Sequence, residues 1–307
     1  MTQYIRTLNE KDYSHIANMQ TGINDDYVLR VFPELLERGD TIYGLFADDQ
    51  LACIGGFSVI AGSYAMLGRL RSDTRFRGYG YATTLMKYIT TEAFKNPRIN
   101  WVGANTEENN LPARRVLEKI GLTPIISLYG ATTKEPGLLK GKCDIWTKID
   151  DTNRKQAWLE SVFTQPKTVF PYECYYPLPA TPHLFEPDTI KDWVFYENAA
   201  QTRMVILKPD RKKHQYLHVV YPWSDFSIQE GLWETIESEY KTLKHKTSER
   251  ETLVWIDLTE YDVSLLPWAH PFTLKSPWIL HGITRDSQKY LTELTEASTH
   301  AEQTSSY

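Results

Sequence analysis

The pattern of apolar and polar positions changes period repeatedly along the first 150 residues, and each change predicts an element. Residues 3–8 (QYIRTL) read as a short strand. Asn9 then offers an N-cap for a helix reaching to about residue 20. Val28, Val31, Phe32, Leu35 and Leu36 recur at spacings of three and four and predict a second helix over 25–38. Apolar runs at 41–47 and 51–60, joined by Asp48-Asp49-Gln50, predict a hairpin, and 64–72 predicts a third strand beside it. A loop at 73–77 leads into a helix over 79–94 whose core face is Ala82, Leu85, Met86 and Ile89. Residues 100–105 predict a strand. Asn110 caps a helix with Pro112 in its first turn, and Gly121 closes it. Strands are expected at 122–131 and 142–149.

The second half changes character. A helix over 152–163 runs into FPYECYYPLPATPHLFEP, where prolines 171, 177, 179, 182 and 187 argue against regular structure and for a linker lying on the surface. Strands follow at 192–197, 203–208 and 215–221. A helix over 227–245 carries Ile228, Leu232, Ile236, Tyr240 and Leu243 on one face, with Ser227 and Glu230 as a capping box. Strands at 252–258 and 277–284 end the pattern. The sequence thus predicts an α/β chain with a first domain over 1–150, a helix and Pro/Tyr-rich linker over 151–190, a C-terminal α/β domain over 191–295 and a mobile polar tail over 296–307.

Composition removes several classes of function. The net charge of −5 and pI near 5.9 argue against nucleic-acid binding. The polar N-terminus has no signal-peptide layout, and no stretch approaches the roughly 18–20 apolar residues of a membrane span. A cytoplasmic chain without a membrane role is therefore expected. Cys53, Cys143 and Cys174 are far apart and odd in number, so neither a disulfide framework nor a zinc site is expected. The eight histidines show no H-E-x-x-H spacing, so no metal is expected. No G-x-S-x-G elbow offers a nucleophile.

Candidate chemistry sits at 70–89, LRSDTRFRGYGYATTLMKYI, where a strand enters a loop with Gly78 and Gly80 and a helix begins. Free N–H groups of a first helical turn, the helix dipole and close backbone approach at glycine together cradle phosphate, and Arg77 adds a charged contact. A dinucleotide fold would require glycine at position 83, where threonine stands, and would place the motif after the first strand.

Arg77-Gly78-Tyr79-Gly80-Tyr81-Ala82 resembles motif A (R/Q-x-x-G-x-G/A) of the GNAT N-acetyltransferase superfamily, and the segment from Asn110 to Leu122 is similar to its motif B. The likeness covers about residues 3–149. It implies the GNAT acyl-CoA acyltransferase fold, a mixed central sheet flanked by helices, with acetyl-CoA as co-substrate. Residues 77–83, Thr83 included, would hold the pyrophosphate. Leu70, Arg71 and Ser72 would meet the pantetheine arm, and a main-chain N–H near Leu70 or Arg71 would polarise the thioester carbonyl. Asn105 and Asn110 stand where the family contacts the cofactor arm, although Asn110 reads equally as a helix cap. Asp25, Asp26 and Tyr27 stand where it admits the acceptor, although the two acids read first as caps of the second helix.

The resemblance also has gaps. Leu117 occupies the place of a tyrosine that protonates the leaving thiolate in many members, and leucine has no proton to give. The strand at 64–72 has no carboxylate. Tyr64 is its one titratable group besides arginine and reads first as packing; Glu107 and Glu108 could act through water but read first as solvated loop acids. The second half resembles a GNAT-like copy without a phosphate loop, serving as support, as a homodimer surface or as a wall of the acceptor site. The expected activity is N-acetylation of a small primary amine or amino acid by direct attack. A non-catalytic CoA-binding regulatory module and a protein N-acetyltransferase stand as alternatives.

Overall fold

The computed structural model describes residues 2–246 and 251–288. The first half runs β1 (Gln3–Thr7), α1 (Tyr13–Ala17), α2 (Tyr27–Glu37), β2 (Thr41–Ala47), β3 (Gln50–Ile60), β4 (Tyr64–Ser72), α3 (Tyr81–Lys95), β5 (Trp101–Glu107) and α4 (Leu111–Lys119). The second runs β6 (Thr123–Thr133), β7 (Thr147–Ile149), α5 (Thr152–Leu159), β8 (Val169–Glu173), β9 (Tyr176–Pro179), α6 (Pro187–Ile190), β10 (Val194–Glu197), β11 (Met204–Arg211), β12 (Gln215–Val220), α7 (Leu232–Lys246), β13 (Thr252–Leu258), α8 (Glu260–Ser264) and β14 (Trp278–Thr284).

Two compact units form, one from residues up to Ile125 with those from Leu280 onward, the other from Ile126–Ile279. In the first, β1-β2-β3-β4 are antiparallel neighbours, β4 pairs parallel with β5 through the α3 crossover, and β14 lies beside β5. In the second, β7-β10-β11-β12 are antiparallel, β12 pairs parallel with β13 through the α7 crossover, and β6 lies beside β13. The second unit therefore repeats the strand order of the first. Each unit takes one strand from the other half of the sequence: β6 follows α4 but belongs to the second unit, and β14 follows α8 but belongs to the first.

The first core packs α3 on the sheet through Leu85, Met86, Ile89 and Ala93 against Leu45, Ala65, Leu67 and Val102. Val28, Phe32 and Leu35 of α2 bury a second cluster against Ile42, Phe46 and Ile54. Burying a side chain of this size stabilises by about 1.5–3 kcal/mol. Close approach of β14 needs Gly103, where a Cβ would lie 2.4 Å from the His281 carbonyl oxygen.

Four expectations about elements are corrected. The helix after Asn9 is short: a 3₁₀ turn with an Asn9/Asp12 capping box, then α1 ending at Ala17. The Pro/Tyr-rich segment is no surface linker, because Phe170, Cys174, Leu178, Leu184 and Phe185 are buried and β8 pairs with β9. A two-stranded pair leaves outer edges where prolines need no donor, so its aromatic residues decide the structure. The helix expected at 227 begins at Leu232, because Gly231 takes φ +76° just before it; Ile228 stands exposed outside the helix and no Ser227 box forms. Only Thr147–Ile149 of the strand expected over 142–149 pairs. The tail expected over 296–307 lies outside the described residues.

Two side chains fix the segments around β4 and β14. Asp73, fully buried, accepts from the Gln20 and Arg75 amides at 2.9 Å each and pairs with the Arg75 guanidinium at 2.7 Å. The Thr74 amide donates back to the Gln20 carbonyl at 2.8 Å. This ties the loop after α1 to the segment that leads into α3. Arg285, just past β14, donates to the carbonyls of Phe94, Asn96 and Ile99.

Arg285→Ala should lower stability by about 2–3 kcal/mol, because three carbonyls lose a charged donor. Thermal unfolding checks this, and a change within about 0.5 kcal/mol would contradict it. Asp73 gives a pH signature. The Arg75 guanidinium, then the two amides, outweigh burial and hold its carboxyl at about 2. A depressed folded-state value contributes stability above the ordinary carboxylate range that is lost as pH falls through about 4 toward 2. Asp73→Asn should therefore be less stable than wild type at neutral pH by about 2 kcal/mol, with the gap closing below about pH 4. A gap that stays constant from pH 7 to pH 3 would show that the charge of Asp73 is irrelevant.

Candidate functional site

The phosphate-loop residues converge at the start of α3. Gly80 takes φ +80° as its N-cap, Gly78 takes φ +87°, and no side chain caps the first turn. A Cβ on either glycine would meet nothing within 4 Å. Glycine is therefore demanded here by the backbone conformation, while the space before the helix stays open. Ala82 and Thr83 supply first-turn amides, and the dipole favours an anion there. Arg77 is exposed and donates to the Thr21 carbonyl at 2.9 Å. Tyr79, 58% exposed, stacks on Tyr81 at 5.5 Å, and Tyr81 packs near Phe76.

Beside this loop, β4 leaves β5. The two pair only from Tyr64↔Trp101 to Leu67↔Ala104, although β4 continues to Ser72 and β5 to Glu107. A bulge accompanies the separation: Arg69, at φ +59°, and Leu70 face the single residue Gly55 between the pairs Gly56↔Gly68 and Ile54↔Arg71. Such a bulge takes one residue out of the ladder and re-aims its neighbours. Arg69 is held by a 2.8 Å ion pair with half-buried Asp40. Residues 68–72 and 105–107 thus present backbone not used by the β4–β5 pair, which suits an extended, amide-bearing ligand arm. Leu70, Arg71, Ser72, Asn105 and Glu107 all fall on these stretches. Continuing the register from Leu67↔Ala104 sets exposed Glu107 level with Leu70.

Asp25 and Asp26 line a cavity of about 280 Å³ together with Arg30, Arg71, Ile16 and Met19, while Tyr27 is half exposed and lies outside its lining. The Arg71 guanidinium grips Asp26 through Nε at 2.7 Å and Nη2 at 2.9 Å, and lies 5.2 Å from the centre of the Tyr27 ring. Asp26 also caps α2 at the Val28 amide. Burial alone would raise its carboxyl, but Arg71 and the Val28 amide outweigh that and hold it below the ordinary value. Asp25, at φ +51°, pairs with Arg30. The Arg71 side chain faces this cavity while its backbone belongs to the open end of β4.

Three residues lie apart. Tyr64 is buried beside Trp101 at the paired end of β4, about 20 Å from Leu70 at strand rise. Asn110 caps α4 by accepting from the Ala113 amide at 3.3 Å. Leu117 is buried in the core. Sequence reading missed Asp73, the Asp40–Arg69 pair and Arg30. A positive-φ arginine leaves no sequence signal, whereas Asp73-x-Arg75 before the glycine loop could have been read as a turn with its own counter-ion.

The corresponding start of α7 is built differently. At Gly231 a Cβ would lie 2.5 Å from the Asp144 carbonyl and 2.9 Å from the Trp146 ring. The Trp146 indole donates to the Glu230 carbonyl. Protein fills the space that remains open at Gly80.

Among the described residues no helix is long and apolar enough to cross a membrane. Residues 25–123 match the model of the acetyltransferase (GNAT) domain family. A GCN5-related N-acetyltransferase from Sphaerobacter thermophilus is similar in structure, with 14% identity over 92% of this chain and 95% of that one and a TM-score of 0.57, a likeness of fold. A structure from Thermoplasma acidophilum covers 89% of both chains at 14% identity and TM-score 0.48. The ribosomal-protein-S18-alanine N-acetyltransferase of Escherichia coli covers 41% of this chain and 81% of its own at 13% identity and TM-score 0.37. No curated protein matches the sequence. With the glycine loop, the parted strands and the family match falling on the same unit, residues 25–123 form an acetyltransferase domain of the GNAT family.

Proposed function

We propose that the first unit transfers an acetyl group from acetyl-CoA to the amine of a small zwitterionic acceptor such as an amino acid. The observation that carries this reading is the meeting at Arg71 of the open end of β4 with a cavity holding both carboxylates and guanidinium groups. Asp25 and Asp26 suit an ammonium group; Arg30 and Arg71 suit a carboxylate. The amides at the start of α3 and Arg77 would bind pyrophosphate, and backbone of 68–72 would receive the pantetheine arm. Main-chain N–H groups at the bulge would stabilise charge developing on the thioester oxygen. In the transfer, the amine nitrogen bonds to the acyl carbon, the carbon–sulfur bond breaks, and sulfur leaves as thiolate. The proton lost by nitrogen passes to water or Glu107, and no protein nucleophile is required. Buried Leu117 favours a second reading, a CoA-binding module without turnover.

Calorimetric titration should show micromolar acetyl-CoA binding to wild type and at least a 100-fold loss in Gly80→Trp, whose side chain would fill the open space. Unchanged binding in that variant would remove the loop from the cofactor site. With acetyl-CoA saturating, amino acids should turn over faster than matched monoamines, and Asp26→Asn should raise the acceptor KM at least about 10-fold with the acetyl-CoA Kd unchanged. Binding without turnover on any amine would instead establish the module reading, and acetylation of peptides alone would establish a protein acceptor.

A further inference from the structure

The second unit buries a group of polar side chains on one face of its sheet that the acetyl-transfer reading does not use. Lys208 and Asp210 stand two apart on β11, Lys208 pairs across to His218 on β12, and Asp257 lies two beyond Trp255, the β13 partner of His218. The period of two along each strand sets these residues on a common face. The turn between β8 and β9 covers that face and places Cys174 there, its amide donating to Asp210 Oδ2 at 2.7 Å. Cys174 and His218 are fully buried. The Cys174 sulfur, an Asp210 carboxylate oxygen and a His218 ring nitrogen all lie within 4.8 Å of one another.

The histidine shows what is missing. Its Nε2 sits 3.0 Å from Asp257 Oδ2, while its Nδ1 has no hydrogen-bond partner among the described residues. A buried polar atom normally has a partner, and an orphan calls for an unseen ion or water. A carboxylate on Nε2 places the proton there and leaves Nδ1 with a free lone pair. This is the arrangement by which carboxylates orient metal-binding histidines. We propose that Cys174, Asp210 and His218 form a zinc site, with Nδ1 of His218 as the nitrogen ligand and Asp257 as its orienting partner. A sulfur, an imidazole and a carboxylate suit Zn²⁺ rather than Mg²⁺ or Ca²⁺, which prefer oxygen alone. Thiolate and carboxylate together balance the charge of the ion. Three protein donors leave a fourth tetrahedral position for water. Zinc bond lengths put tetrahedral donors about 3.3–3.8 Å apart, a spacing within reach of this cluster. Lys208 does not fill the ligand position. Its ammonium donates to the Pro171 and Tyr172 carbonyls and lies over the Phe170 and Trp193 rings.

The site binds the β8–β9 turn to the sheet, so loading should accompany folding. The test uses the full chain produced in zinc-supplemented medium, with metal content read by mass spectrometry and Co²⁺ exchanged for zinc as a spectroscopic probe. The expected result is about one zinc per chain, a thiolate-to-cobalt charge-transfer band, and at least a 10-fold loss of metal in Cys174→Ala and in His218→Gln. Cys143→Ser should keep the metal. A wild-type content below about 0.1 zinc per chain, even after refolding with zinc, would overturn the proposal. So would full retention in both variants, which would indicate surface binding only. If the variants fail to fold, the wild-type cobalt spectrum decides: a thiolate band supports the site and its absence rejects it.

Discussion

Everything at the site follows from a parallel pair of strands that stays together for only four residues. Between Tyr64 and Leu67, β4 and β5 share an ordinary ladder; beyond it the pairing ends, and a bulge at Arg69 and Leu70 interrupts β4 against β3. Parallel strands buried under a crossover helix normally bond along their length, because unmet N–H and C=O groups are costly. Backbone left out of the β4–β5 ladder suits an extended ligand arm that brings amides of its own. The bulge is anchored by Arg69–Asp40, and Arg71 beyond it grips Asp26. The open end of β4 and the cavity beside α2 thus meet at Arg71.

The second unit shows what the topology does without that specialisation. It has the same strand order and crossover helix, yet Asp144 and Trp146 occupy the space before α7 where Gly78 and Gly80 leave an opening before α3. A helix dipole alone does not make an anion site; its first turn must also be accessible and uncapped. The polar chemistry of this unit lies instead on the sheet face beneath the β8–β9 turn.

Elements whose signals are local were legible in the sequence. Hydrophobic period located α2, α3 and the strands β2 to β5, and the glycine pattern at 77–82 located the open start of α3, because a positive φ at a helix start restricts the residue type strongly. Signals that depend on distant partners were not legible. Nothing local shows that β14 completes the first unit, since its pairing surface is 180 residues earlier in the chain. The proline-rich segment misled because each proline argues against structure alone, while Phe170, Phe185 and Trp193 act only once packed together. Ser227 and Glu230 had the right spacing for a cap, but Gly231 breaks the backbone between them and the helix. Cys174, Asp210 and His218 follow no ligand spacing because two strands and a separate turn bring them together.

Amide hydrogen exchange with and without acetyl-CoA tests the central claim most directly, because it reads both units at once. The account predicts added protection at residues 68–72 and 78–84, where parted strand and open helix start would receive the cofactor, and none at 231–236, where Trp146 closes the space. Protection confined to the second unit, or absent from both segments of the first, would contradict it.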